Sequence, residues 1–152
     1  MATQWILLVM EDGVFHEESV CYAIKLAHRI HCSVSVLMLA ANTENEPGII
    51  NNAQQVLKKI MHLIKAKNIT TQGRIRCGDK ASELLKHLAD NPSFLTIVWG
   101  GEEKTLSGRN IKKTDDWFAK IKTNIRCPVI RPTVKDNVRI KLKRKESYQN
   151  AK

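Results

Sequence analysis

Two short stretches of the chain are almost wholly apolar, and they constrain the fold more than any other feature. They are WILLVM at 5–10, which ends in the turn residues Glu11-Asp12-Gly13, and FLTIVW at 94–99. A strand with one solvent-exposed face alternates apolar and polar residues, whereas a strand buried on both faces is a continuous apolar run. Both stretches are therefore predicted to be neighbouring central strands of a parallel sheet, with helices on both faces.

Strand-length and helix-length segments alternate along the rest of the chain. A helix is predicted to end near Ile30, because its apolar residues recur at helical spacing, with Glu17 and Glu18 in its first turn and basic residues in its last. Further strands are predicted at 34–39, 70–77 and 128–131, and further helices at 49–67, after an N-cap at Asp79, and at 117–125. Five strands alternating with four helices predict an α/β fold, with the polar third strand at an edge.

Composition indicates one globular domain in a reducing compartment. The 152 residues are 43% hydrophobic and 26% charged, without an apolar run long enough to cross a bilayer and without a signal-like N-terminus. We therefore expect a cytoplasmic protein. The cysteines lack the close spacing of zinc or dithiol sites, so we expect all four to be buried free thiols: Cys21, Cys32, Cys77 and Cys127.

Positive charge is concentrated near the C-terminus. The formal net charge is +10, and about half of it falls on the last twenty residues. We expect a domain at 1–132 followed by a basic tail at 133–152, which is either a solvated end or a strand-like segment that binds a polyanion weakly. The residues predicted to make that contact are Arg139, Lys141, Lys143, Arg144 and Lys145.

Five segments in a fixed order resemble one known family. They are ILLVMED, CYAIKLAHRIHCSVSVLML, GDKASELL, TIVWGG and AKIKTNIRCPVIRP. From about Gln4 to Pro132 the chain resembles the universal stress proteins. The resemblance implies a flavodoxin-like, doubly wound parallel sheet of five strands in the order 3-2-1-4-5, with helices on both faces. It also implies a homodimer formed through the last strand, Cys127 to Arg131.

The resemblance also bears on nucleotide binding, because the family has one branch that binds ATP and another that does not. In the binding branch an Asp closes the first strand and a Gly-x2-Gly-x9-Gly-Ser/Thr signature follows the fourth. Here Glu11 takes the Asp position, or Asp12 after a one-residue shift, and Gly100 matches the first glycine. Glu103 and Lys113 replace the other two glycines, so the bare backbone that phosphates approach closely is lost.

We therefore favour the branch that does not bind ATP and expect no cofactor, with ATP as the alternative. The degenerate nucleotide pocket is predicted to consist of residues at the outlets of the first, second and fourth strands and in the following loop: Val9, Glu11, Asp12, Leu39, Gly100, Gly101 and Thr114.

The sequence contains no recognisable catalytic or metal-binding motif. It contains no P-loop, no nucleophile elbow with a Ser/His/Asp order, and no pair of carboxylates spaced for acid-base work. His28 and His31 are expected on one helical face beside Cys32, but no second ligand cluster accompanies them, so we expect no metal site.

The function expected is that of a cytoplasmic, homodimeric stress-response or regulatory binding protein without catalysis. One alternative is a nucleotide-binding protein whose phosphate loop is rebuilt from Glu11, Gly100 and the basic loop at 104–113. The other is an adaptor for nucleic acid or another polyanion that works through the basic tail.

Overall fold

The computed structural model describes residues 4–40, 47–91, 93–100 and 124–132. Within these ranges strands and helices alternate as follows: β1 Trp5–Glu11, α1 Glu17–Ile30, β2 Ser33–Ala40, α2 Pro47–Ala66, β3 Thr71–Cys77, α3 Lys80–Asp90, β4 Phe94–Gly100 and β5 Val129–Ile130. The strands form one sheet in the order β3-β2-β1-β4-β5, and every pairing is parallel. The predicted flavodoxin-like sheet and its strand order are confirmed.

Strand β1 is the centre of the sheet. It pairs with β2 on one side and β4 on the other, and all of its residues from Ile6 to Met10 are fully buried. Its side chains alternate between two apolar layers: Leu8 packs on the α1 and α2 side, whereas Leu7 and Val9 pack on the α3 side. Because both faces and both edges are covered, the sequence of β1 is a continuous apolar run.

Helices α1 and α2 cover one face of the sheet. Helix α2 buries Ala53, Leu57, Ile60 and Ile64, which lie three or four residues apart and so form one stripe. The stripe packs closely on β3 at Gly73, where an added Cβ would lie 2.9 Å from Cδ1 of Leu57. The absence of a side chain at this glycine thus sets how near the helix approaches the edge strand.

Helix α3 covers the other face and begins as predicted. Asp79 is its N-cap, and the carboxylate accepts hydrogen bonds from the backbone N–H of Ser82 at 3.0 Å and from its hydroxyl at 2.8 Å. These bonds favour the charged form and lower the pKa of Asp79. Arg76 of β3 also binds α3, through Glu83 at 3.5 Å and Asp90 at 3.2 Å.

The predicted helix at 117–125 lies almost wholly outside the described residues, and only its predicted last residue, Ile125, is seen to be non-helical. One prediction about local structure was wrong. All four cysteines are free, yet only Cys32 is buried. Cys77 is exposed because it ends the edge strand β3, and Cys21 and Cys127 are half-buried. The predicted tail at 133–152 lies outside the described residues.

One titratable side chain is buried where α3 packs on β3 and β4. His87 is 3% exposed, and its ring stacks on Phe94 with a centroid separation of 5.9 Å. Its Nδ1 accepts a hydrogen bond from Nε of Arg76 at 3.3 Å, and its buried Nε2 has no hydrogen-bond partner among the described residues. Burial, together with the positive charges of Arg76 and Arg74, lowers the pKa of His87 from 6.5 to about 4.

The first testable prediction concerns acid sensitivity. The unfolded chain takes up a proton on His87 near pH 6.5, whereas the folded chain does so only near pH 4. The free energy of unfolding should therefore fall over this interval, by up to about 3 kcal/mol from this group. Urea denaturation at several pH values measures it. His87→Gln should flatten the profile and the exposed control His62→Gln should not; identical slopes for both variants would contradict the assignment.

Candidate functional site

The carboxyl ends of the strands meet at one edge of the sheet, where doubly wound folds bind ligands. The chain leaves β1 towards β2 on one side, and leaves β4 towards β5 on the other. The strand order therefore reverses between β1 and β4, and in doubly wound folds the ligand crevice lies outside the carboxyl ends of the strands at such a point. Glu11 ends β1 and Gly100 ends β4, so the structure brings these two predicted site residues to this crevice.

The loop after β1 is fixed by the end of β2 and by α2. Asp12 and Gly13 both have positive φ, of 51° and 69°, which suits an Asp-Gly turn. The backbone N–H of Asp12 donates to the Leu39 carbonyl at 2.7 Å. Asn52 of α2 donates through its side-chain amide to the Gly13 carbonyl at 3.3 Å. The loop therefore presents Asp12 to the crevice in a defined conformation.

A lysine from α3 pairs with Asp12 of this loop and with Glu11 at the end of β1. Nζ of Lys80 lies 2.5 Å from Oδ2 of Asp12 and 3.7 Å from Oε1 of Glu11. Glu11 is 6% exposed, and a carboxylate so buried needs a nearby cation or several hydrogen-bond donors. The loop that carries Lys80 is held against β2, because Gly78 donates from its backbone N–H to the Ala40 carbonyl at 3.1 Å.

Sequence reasoning missed Lys80, although one signal pointed to it. The residue is the first of α3, directly after the N-cap Asp79. A cation is unfavourable at the positive end of a helix dipole, so a lysine in this position indicates a specific acidic partner elsewhere.

The other predicted pocket residues divide into core residues and residues outside the described ranges. Val9 and Leu39 are fully buried in the apolar layer beneath α3, so their side chains offer no surface at the crevice. Gly100 is required by packing: an added Cβ would collide with Sδ of Met10 and lie 2.9 Å from the Val9 carbonyl oxygen. Gly101 and Thr114 lie outside the described residues.

The two histidines at the end of α1 are not on one helical face. Helix α1 ends at Ile30, and His31 is its C-cap, with a left-handed φ of 56°. The prediction that His28 and His31 lie three residues apart on one helical face is therefore wrong, because the helix ends before His31. His28 contacts the end of α2 instead, with Nε2 2.7 Å from the Lys67 carbonyl oxygen.

This architecture matches solved universal stress proteins. A family member from Burkholderia pseudomallei aligns with a TM-score of 0.61 at 17% identity, over 84% of this chain and 96% of that one. A universal stress protein from Archaeoglobus fulgidus aligns with a TM-score of 0.63 at 14% identity, over 88% of this chain and 100% of that one. The universal stress protein from Archaeoglobus fulgidus in complex with dAMP aligns with a TM-score of 0.60 at 14% identity, over 84% of this chain and 98% of that one. The chain has a universal-stress-protein-like fold.

The likeness is one of three-dimensional structure. No protein-family model and no curated protein matches the sequence. In the part of the chain that the structure describes, every helix is too short or too polar to span a membrane.

The second prediction tests the Lys80 cluster. Lys80→Met leaves the Glu11 and Asp12 carboxylates beside each other without this cation, and should lower the free energy of unfolding by roughly 1–3 kcal/mol. Adding Glu11→Gln to this variant should restore much of the loss, because it removes the buried charge. The control Lys86→Met breaks a pair in which Lys86 is exposed and Glu83 still has Arg76, and should cost less than about 1 kcal/mol. Equal losses for Lys80→Met and Lys86→Met in urea denaturation would contradict the assignment.

Proposed function

We propose that the chain is a non-catalytic regulatory binding protein of the universal-stress type, which acts in the cytoplasm as a homodimer and does not depend on ATP. The observation that carries this proposal is the contact of Lys80 with Asp12 and Glu11 at the mouth of the crevice. The acidic groups that a nucleotide would use are thereby engaged by the protein's own cation.

The energetic argument concerns competition for Asp12. Its contact with Lys80 at 2.5 Å joins two opposite charges, whereas a ribose hydroxyl is neutral and would bring no positive charge to the carboxylate. A ribose hydroxyl would have to displace that contact or share the carboxylate with it. Beyond Gly100 the sequence also lacks two of the three signature glycines, so the close backbone contacts that hold a triphosphate have no equivalent there.

A second candidate is the binding of a nucleoside monophosphate. Solved structures with this fold include complexes with cAMP, dAMP and AMP. A single phosphate needs fewer backbone donors than a triphosphate does, and the Lys80 ammonium beside the crevice could neutralise part of its charge. In this candidate Glu11 and Gly100 line a rebuilt pocket.

The third prediction separates these two functions. Titration calorimetry with Mg-ATP should show no saturation in the micromolar range, because the phosphate loop is degenerate. A saturating isotherm with AMP, weakened at least about tenfold by Asp12→Asn, would establish the second candidate instead. Gly100→Val is not a suitable probe, since its side chain would disturb the contact of β4 with β1 whatever the ligand. Exposed Asp90→Asn is the matched control.

The fourth prediction concerns the dimer. Among the described residues, β5 pairs only with β4, so its other edge carries open backbone donors and acceptors that a second copy could pair. Sedimentation at micromolar protein should show a dimer. Ile130→Lys, which places a charge on this edge, should weaken it at least about tenfold. Ile50→Lys on α2 removes another partly exposed isoleucine and should not. A wild-type monomer would contradict the proposal.

A further inference from the structure

The outer surface of α1 and α2 carries positive charge with no acidic residue to offset it. The sequence contains no Asp or Glu at 19–43 or at 47–78, which includes all of α2 and all but the start of α1. Six exposed basic and histidine side chains of this surface are His28, Arg29, Lys58, His62, Lys65 and Lys67. We refer to these six residues as the basic helix face.

The two helices cover the same face of the sheet, so these charges lie on one side of the molecule. Both helices bury their apolar stripes in the same layer of the core. The last turn of α1 contacts the residue that follows α2, because Nε2 of His28 lies 2.7 Å from the backbone carbonyl oxygen of Lys67. The cations of α1 and α2 therefore lie on the same side of the sheet.

The lysine and arginine side chains of this face have no charged or hydrogen-bonding partner among the described residues. Arg29, Lys58, Lys65 and Lys67 form no ion pair or side-chain hydrogen bond with the residues that the structure describes. On the α3 side, by contrast, Arg76, Lys80 and Lys86 each have a carboxylate at 3.5 Å or less. These three α3-side cations thus have carboxylate partners within the protein, whereas the four cations of the basic helix face have none among the described residues.

The helix dipole explains only part of this arrangement. It favours cations within the last turn of a helix, and so accounts for Arg29 and Lys65. Lys58 lies about two turns before the end of α2, outside the reach of that effect. Its charge has no partner among the described residues, so it is available to a ligand.

The shape and chemistry of the face favour a nucleic acid duplex. From Lys58 to Lys67 the face extends about 14 Å, a length over which a duplex presents about eight phosphate charges. The apolar stripes of both helices are buried against the sheet, and the large apolar side chains exposed on their described residues are only Ile30, Ile50 and Leu63, a small surface for entry into a lipid bilayer. Among the described residues no Trp, Tyr or Phe is exposed, and single-strand binding depends on such stacking platforms.

We propose that the basic helix face binds double-stranded nucleic acid through its backbone phosphates, without reading sequence. The face is distinct from the crevice: α2 ends where the chain enters β3, so the face lies towards the amino ends of the strands. It is also distinct from the basic tail. Duplex binding would thus add a function to the regulatory role proposed above, and both sites could be occupied at once.

The fifth prediction tests this proposal with the full chain. Anisotropy of a labelled random duplex of about 30 base pairs should report binding whose affinity falls steeply between about 50 and 200 mM KCl. Arg29→Gln/Lys58→Gln/Lys65→Gln should weaken binding at least about tenfold at the lower salt concentration. It should also reduce the log-log salt slope by about 0.9 for each phosphate that the variant no longer neutralises.

Two further triple variants remove the same charge from other places. Arg74→Gln/Lys86→Gln/Arg126→Gln acts on cations on the α3 side of the sheet, and Arg139→Gln/Lys141→Gln/Lys143→Gln acts on the tail. The α3-side variant should stay within about twofold of the wild type. Circular dichroism and urea denaturation establish that each variant is folded.

Several results would overturn the proposal. One is no duplex binding by the wild type at the lower salt concentration. Another is an equal loss of affinity in all three variants, which would show that only net charge matters, and a third is a loss confined to the tail variant. Tighter binding to a single strand would also overturn it, as would binding to phosphatidylserine vesicles but not to duplex.

Discussion

The complete burial of β1 is the constraint on which the rest of the structure depends. Its backbone pairs with β2 and β4, and its side chains enter both apolar layers, so no part of the strand from Ile6 to Met10 can carry a polar group. Glu11 and Asp12 stand where the strand first emerges from this enclosure. The position of the crevice, and the need for Lys80 to neutralise a carboxylate at its mouth, both follow from that burial.

Much of the fold could be predicted from sequence because its signals are local. The apolar run of β1, the helical stripe of α2 and the N-cap of α3 each lie within a few neighbouring residues. The side-chain contacts at the crevice depend instead on pairs of residues that are distant in sequence. Lys80 meets Asp12 across 68 positions, and the packing need of Gly100 arises from Met10 on another strand. No local pattern specifies either contact, although the sign of the charge at the start of α3 pointed towards the first.

Burial at the edge of the sheet is the other property that the sequence predicted wrongly, for a related reason. The residue type of Cys77 predicts burial, because cysteine is usually buried, but it ends an edge strand where no further layer covers it. The position of the residue relative to the sheet, rather than its type, decides the outcome.

The pairing of β1 with β4 has a consequence for how the chain is made. Strands β1, β2 and β3 and the helices that join them are consecutive in sequence, so they can assemble as soon as they leave the ribosome. The second edge of β1 pairs with residues 94–100, and the Leu7 and Val9 side of the sheet is covered by α3. Until synthesis reaches those segments, the nascent chain carries an apolar strand with one open edge and one uncovered face. The central strand of the finished protein is thus an aggregation-prone surface during translation.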